Sequence, residues 1–539
     1  MQGIKSLIHK KIALAAFITW TVLNVSGIQD LYMRDGDPLK MVPLKLLHLL
    51  FLYVIFYKIN SLYQHRKEPK GKAELVCFGI CFGVYALALL LAWPGAWSWD
   101  DITILTEAAF YATTPWQHFL SGTFHVLCLQ TLPFAAGVII LQALVIAFIA
   151  GYCTVNLSEL FGKTEKQKQV LRIILLAIMF FPPIVMYVLS GFRMGLYAFF
   201  ELLLIAKLLM LFKNGKQASA LDLAAIITLG TLLAAWRTEA IYLPIAIFVL
   251  LLLLGKRIMR KSAACIALLL MLFCVFAIGK YNNHLIGNNN YSLTATMTPV
   301  TEIIRLPDGA DAESLAVIDK VIDVEFIRAH TELNGEQCYW AEGCVRNYSD
   351  EDYSAYLKTF LKLCIKNPST VLKSNWNTFC QAVGGFGQDG KQTTRNAVFT
   401  SPGGVFEIDP NNPDAEWHRV NSILKYPADI ELRQQVILGL GGVDADRNLT
   451  VIHNVFWSLF IPLGLMLIAL VYKLIKKDWF TVILMLTVLC RVPILFMTSP
   501  APYFMYYLSV YLCCYVLSVS VLFEWINDIL EKKRMRIKS

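Results

Sequence analysis

Long apolar runs separated by short charged loops set the rhythm of this chain. A helix that crosses a bilayer needs about 20 mostly apolar residues. Twelve stretches approach that requirement: 12–31, 44–63, 75–93, 133–155, 173–189, 196–212, 221–236, 241–254, 263–278, 451–472, 480–497 and 503–526. The loops between them alternate in charge. HRKEPKGK (65–72), GKTEKQKQ (162–169), KNGKQ (213–217), GKRIMRK (255–261), KLIKKD (473–478) and the tail EKKRMRIK (531–538) are basic. The connections at 94–132, 190–195, 236–240 and 498–502 are poorer in Lys and Arg. Basic loops stay on the cytoplasmic side, so both termini are expected there and the second set of loops outside. That alternation requires an even number of crossings, which twelve satisfies. The first apolar stretch follows KSLIHKK and has no small-residue cleavage site, so it reads as an anchor and not a cleaved signal.

One long polar segment, 279–450, interrupts the rhythm and falls on the outer side. It is rich in Asp and Glu, with turn-forming clusters such as NNHLIGNNNY (282–291) and DPNNPDAE (409–416). SDEDYSAYLKTFLKLCIKNPSTVLKSNW (349–376) opens with a capping sequence and then repeats apolar residues at helical spacing. It predicts a helix ending near Pro368, followed by a second helix. The organisation expected is an N-terminal region of nine helices (1–278) with an outer loop at 94–132, an α-rich inserted domain (279–450), and a C-terminal region of three helices with a basic tail (451–539).

Composition agrees with a multi-span membrane protein: 57% of the 539 residues are hydrophobic and 16% charged, against about 25% charged in soluble domains. The formal net charge of +9 would suit nucleic acid, but it lies in the short loops, so no nucleic-acid partner is expected. Most of the thirteen cysteines lie in or near apolar runs, as small hydrophobic residues. Cys338, Cys344, Cys364 and Cys380 fall in the insert. A Cys338–Cys344 bridge around CYWAEGC is expected if the insert faces an oxidising compartment. A zinc site is disfavoured, because no histidine stands at ligand spacing.

The candidate chemistry gathers in PGAWSWDDITILTEAAFYATTPWQHF (94–119). Pro94 and Gly95 stop the preceding helix. Ser98 or Asp100 can cap a new one through 102–112, whose apolar face suits the membrane surface. Asp100 and Asp101 can be plain capping residues held by the helix dipole. A second short helix, about 115–127, carries His118 and His125. Their spacing puts them about 10 Å apart along the axis, too far for one metal ion. His118 is the better functional candidate and His125 the better packed one. Further charges converge on the outer half of the bilayer: Arg193 and Glu201, Arg237 and Glu239, and Arg491. Such charges are costly unless they pair or line a cavity. Acids on a surface loop with arginines beside them suit a lipid phosphate, which guanidinium groups hold bidentately while a carboxylate takes a hydroxyl proton. Trp97, Trp99, Trp116, Tyr503, Tyr506 and Tyr507 offer stacking faces for a sugar, or an interfacial aromatic belt.

In these features the chain resembles the GT-C superfamily of membrane glycosyltransferases. PGAWSWDDITILTEAAF is similar to the family's acidic outer loop after a helix exit, and PWQHFLSGTFH to its histidine-bearing continuation. WRTEAIYLP (236–244) is similar to its arginine-containing turn, and TMTPVTEIIR (296–305) and PAPYFMYYL (500–508) resemble segments of uncharacterised bacterial members. The loop here follows the third apolar stretch, where many members place it after the first. The soluble domain precedes the last three helices and does not end the chain. The resemblance implies a polyprenyl-phosphate sugar as donor, an inverting displacement on the extracytoplasmic side of the plasma (inner) membrane, and a cell-envelope glycan, lipid or protein as acceptor. It makes Asp100 or Asp101 the base, with His118 beside them. It assigns Arg237, and Arg305 or Arg491, to the donor phosphate; Arg193, Glu239, Trp99, Tyr503 and Tyr507 complete the expected substrate site.

Neither a GxxxxGK[ST] nor a GxGxxG opening a helix occurs, which agrees with a donor that is not a nucleotide. Adjacent Asp100 and Asp101 permit a divalent metal ion without demanding one. Two other classes share much of this pattern. A transporter or flippase of lipid-linked glycan would place its polar groups in broken helices near mid-membrane, within internal repeats. A polymerase or ligase of lipid-linked surface polysaccharide would use a diphosphate carrier.

Overall fold

The computed structural model describes residues 2–385 and 430–538, except 35, 115, 216, 287–289, 445 and 447. Among the described residues the regular structure is helical, with three isolated bridges and no strand. The first part comprises α1 (Gln2–Val25), α2 (Pro38–His65), α3 (Pro69–Leu91), α4 (Trp99–Ala108), α5 (Phe119–Thr131), α6 (Ala135–Phe161), α7 (Glu165–Met179), α8 (Pro182–Val188), α9 (Arg193–Asn214), α10 (Ala220–Trp236), α11 (Leu243–Leu253), α12 (Gly255–Ile258) and α13 (Lys261–Ile286). The insert holds α14 (Thr294–Arg305), α15 (Ala312–Ile318), α16 (Val324–Ala329), α17 (Gly335–Trp340), α18 (Asp350–Lys366), α19 (Pro368–Val383) and α20 (Ile430–Gly441). The last part comprises α21 (Val451–Phe456), α22 (Phe460–Ile475), α23 (Trp479–Leu489), α24 (Arg491–Thr498) and α25 (Leu508–Lys538).

Each of the twelve apolar stretches is helical, and among the described residues eight helical segments are long and apolar enough to cross a membrane: α2, α3, α6, α9, α13, Val451–Ile475, Trp479–Thr498 and Phe504–Lys533. The pair α7–α8 makes a ninth if counted as one span bent by 62°. The bend falls at Pro182-Pro183, where an amide donor is missing and the ring crowds the preceding turn. The other three stretches fall short for visible reasons. Lys5, His9, Lys10 and Lys11 sit inside α1 and curtail its apolar run. Ala220–Trp236 and Thr238–Leu253 are apolar but shorter than the rest. The chain is therefore an α-helical membrane protein in its length and composition of helices.

Position in the bundle follows side-chain size. The apolar windows of α6, α9 and Phe504–Lys533 are 72%, 67% and 78% buried, against 11%, 22% and 17% for α2, α3 and α13, so the first three are central. A Cβ on Gly151 of α6 would lie 2.9 Å from the backbone nitrogen of Phe78, so glycine lets α3 pack directly on α6. The peripheral helices instead expose large apolar groups, Leu90, Leu269, Phe273 and Phe276 among them, as a surface in contact with lipid requires. At one end of the bundle the basic loops meet the final helix: Lys163 contacts Asp528 and Glu531 at 3.3 and 2.7 Å, and buried Lys473 contacts Glu524 at 2.7 Å.

The insert has its own core, built from Met297, Ile303, Ile318, Ile327, Tyr356 and Leu363 with their neighbours. The predicted helix pair is present as α18, with Ser349 and Asp352 forming a capping box, and α19. Two features tie the insert to the bundle. Helix α13 continues without a break past the boundary expected at 278. Phe379, Cys380 and Val383 of α19 belong to the bundle's core, and the Leu459 amide donates to the Val383 carbonyl at 2.9 Å. The expected stretch DPNNPDAE lies outside the described residues.

Candidate active site

Four connections meet at the end of the bundle that carries the insert. Residues 94–98 lie against the turn before α9, through a bridge between Ala96 and Ser190. Gln142 of α6 fixes that turn by donating to the carbonyls of Tyr187, Val188 and Ser190, at 2.7 Å for the last. Gly191 closes the contact: a Cβ there would fall 2.6 Å from the Trp97 ring and 3.1 Å from Cβ of Asp101. Trp236 Nε1 donates to Ser121 Oγ at 3.1 Å, and the Arg237 guanidinium lies 5.5 Å from the Tyr506 ring centre.

The two aspartates have different surroundings. Helix α4 begins at Trp99 with Ser98, one of the two expected caps, as N-cap, and ends at Ala108, short of the expected 112. Asp101 is its capping acid: Oδ1 accepts from the Ser98 amide at 2.6 Å and from the Ser98 hydroxyl at 2.7 Å, and the side chain is fully buried. Burial pushes the Asp101 carboxyl up to about 7, against the Ser98 hydrogen bonds. Asp100 points elsewhere. Trp116 Nε1 donates to its Oδ1 and Gln117 Nε2 to its Oδ2, each at 3.3 Å. Burial raises Asp100 above the usual carboxylate range, while the Trp116 hydrogen bond and the charge of Arg193 oppose the rise.

Arg193, the first residue of α9, is half-buried and has Asp100, Arg237, Glu239 and Tyr291 within electrostatic range. Among the described residues it forms no hydrogen bond or ion pair. The other arginines are committed. Arg237 pairs with Glu239, both buried. Arg491 is fully buried and bonded to Glu201, Ser509 and Tyr197. The sequence pairs Arg193 with Glu201; the fold gives Glu201 to Arg491 and leaves Arg193 unpaired. Arg305 lies inside the insert, donating to the carbonyls of His330 and Leu333 at 2.9 and 2.7 Å and pairing with Glu302. It is not brought to Asp100.

His118 is the N-cap of α5, its Nδ1 accepting from the Leu120 amide at 3.3 Å, and the helix therefore starts later than predicted. Burial, with Arg193 nearby, pushes it down to about 3, so it is neutral. His125 is buried, with Nδ1 on the Ser121 carbonyl. Tyr507 packs on Phe379 in the bundle core. The side chain of Trp99 lies outside the described residues.

The insert supplies groups that the sequence did not single out. Glu336, on α17, lies with Tyr503 in the wall of one cavity and feels the charge of Asp100; burial pushes its carboxyl up to about 7. Glu336, Gln337, Trp340 and Tyr503 line a cavity of about 600 Å³. Trp340 stands edge-on to Trp116 at 6.2 Å and near Tyr291 at 6.5 Å, so aromatic rings run from the cavity to the Asp100 ligands. The signal available for Glu336 was only the Asn334–Gln337 capping pattern, which marks a helix start and not a site.

The residues do not fit a divalent-ion centre: among the described residues no three His, Cys, Asp or Glu side chains converge, and both oxygens of Asp100 face N–H donors. The chain matches no family model, no curated protein and no solved structure. What the fold defines is the broad class, an α-helical membrane protein.

Proposed function

We propose that this chain is an integral membrane glycosyltransferase of GT-C type, moving a sugar from a polyprenyl-phosphate donor to the hydroxyl of an extracytoplasmic acceptor. In this reading all twelve apolar helices cross or enter the plasma membrane, the basic termini are cytoplasmic, and the insert lies outside. One observation carries the reading. The Asp100 carboxylate and the Arg193 guanidinium, which has no partner among the described residues, lie within electrostatic range of each other at the end of the bundle that carries the insert. A lipid-linked phosphate needs that placement, since its chain stays in the bilayer while its headgroup is held by fixed cations.

The division of labour follows from the chemistry. Asp100 takes the proton of the acceptor hydroxyl as it attacks the anomeric carbon. Arg193, with Arg237 behind it, offsets the charge that grows on the departing phosphate. Trp116 and Gln117 orient the carboxylate. Glu336, Tyr503 and Trp340 face the acceptor side, where aromatic rings and hydrogen-bonding groups suit a sugar or a similar hydroxyl-bearing group. A polar site at one end of the bundle favours this reading over a transporter, whose site belongs near mid-membrane.

The test is release of polyprenyl phosphate from a panel of polyprenyl-phosphate hexoses and pentoses by the purified chain in liposomes. Wild type is expected to release it, and Asp100→Asn to do so about 10²–10⁴ times more slowly. Equal release by the variant would overturn the assignment of Asp100.

A further inference from the structure

We propose that Cys338 and Cys344 are joined as a disulfide by exchange with a disulfide-bearing partner, fastening the helix that carries Glu336 to the body of the insert. The inference rests on the geometry of the insert and is independent of the reaction proposed above.

Neither cysteine is bonded in the structure, but both are fully buried in the insert's core, where the two thiols influence each other. The chain folds back between them. The Ala341 amide donates to the Cys338 carbonyl and the Cys344 amide to the Ala341 carbonyl, each at 3.3 Å. Gly343 sits at φ +86°, a conformation that side chains disfavour. The far side of this loop is anchored: the Asp323 amide donates to the Cys344 carbonyl at 2.7 Å, and Val345 bridges Ile322. The near side is α17, whose Glu336, Gln337 and Trp340 form one wall of the 600 Å³ cavity. A covalent link therefore ties the cavity wall to an anchored segment.

The surroundings also favour the chemistry. Arg305 Nη2 lies 3.8 Å from Cys338 Sγ. The neighbouring Cys344 thiol and the nearby charge of Arg305 hold the Cys338 thiol below its ordinary value, whereas Cys344 is raised. The guanidinium beside Cys338 Sγ favours its thiolate, which makes Cys338 the attacking sulfur. Its thiolate displaces one thiol from the partner's disulfide, giving a mixed disulfide. Cys344 then attacks Cys338 Sγ, losing its proton, and the second partner thiol leaves. The two cysteines lose two hydrogens and the partner is reduced to two thiols. Exposed Glu342, Gly343 and Arg346 beside Cys344 mark this as a surface loop, so a small opening admits the partner.

The experiment alkylates membranes bearing the full chain with N-ethylmaleimide before solubilisation and digests with trypsin. Cleavage after Arg328 and Arg346 yields one peptide, 329–346, holding these two cysteines and no other. It is expected unlabelled and two hydrogens lighter, taking two labels only after reduction. Labelling of both thiols without reduction would overturn the proposal. A second arm treats reduced, purified protein with oxidised glutathione. Cys344→Ser is expected to trap glutathione on Cys338 several-fold more than Cys338→Ser traps it on Cys344; equal or reversed trapping overturns the order of attack.

Discussion

Asp100 and Asp101 are adjacent in the chain, yet their side chains do different work. In the first turn of a helix successive residues point about 100° apart, so one carboxylate turns back to the cap and its neighbour turns out to Trp116 and Gln117. Asp101→Asn keeps the acceptor oxygen for Ser98 and is expected to retain transfer, while Asp101→Ala loses the cap at a cost of about 1 kcal/mol, read as a lower Tm with activity largely preserved. The environment of Asp100 sets a pH dependence. Its folded pKa is raised, so the ionised base is lost as pH falls while still above the ordinary carboxylate range. The charge of Arg193 opposes that rise, so Arg193→Gln lifts the pKa further. The acid limb of the rate profile is expected to move to higher pH in this variant and the donor KM to increase; an unmoved limb would separate Arg193 from the carboxylate.

Between elements, the buried ion pairs decide which arginine stays available. Arg491 on α24 reaches Glu201 on α9 and Ser509 on α25, and so locks together three helices around the site. Removing one partner leaves an uncompensated charge in a low-dielectric interior. Arg491→Met is therefore expected to destabilise the protein by about 3–5 kcal/mol, measured by thermal unfolding in detergent. The double variant Arg491→Met with Glu201→Met removes both charges and is expected to recover much of the loss. If the double variant is as unstable as the single, the pair is not the organising contact of those helices. Helix α17 is the complementary case: six residues long, it depends on its neighbours for position, and its Glu336 reaches the site only because the insert packs there.

The whole molecule has two unlike ends. One gathers the basic loops onto the acidic residues of the last helix, and the other gathers the insert, the Asp100 loop and the aromatic rings. Charge asymmetry of this kind orients a membrane protein. On intact cells, an impermeant thiol reagent is expected to label Glu313→Cys in the insert above the parent's background and to leave Lys532→Cys in the tail unlabelled. The reverse pattern would turn the protein over and remove the extracytoplasmic site.

Local pattern carried the elements well. Apolar runs, Pro94-Gly95 and the Ser349 cap are signals between near neighbours, and helices form from such contacts, so all twelve apolar stretches and the pair α18–α19 were legible. The same runs did not reveal the bend at Pro182-Pro183 as a break in a span, or that α10 and α11 fall short of one. Pairing of distant charges was beyond them. Glu201 stands eight residues from Arg193 in sequence, yet it faces Arg491, because burial selects the partner that satisfies the most hydrogen bonds and not the nearest in the chain. Arg305 turned into the insert's carbonyls and Glu336 came to the Asp100 site for the same reason. The helices belong to the sequence; which carboxylate meets which guanidinium belongs to the packing, which sets distances that no local periodicity encodes.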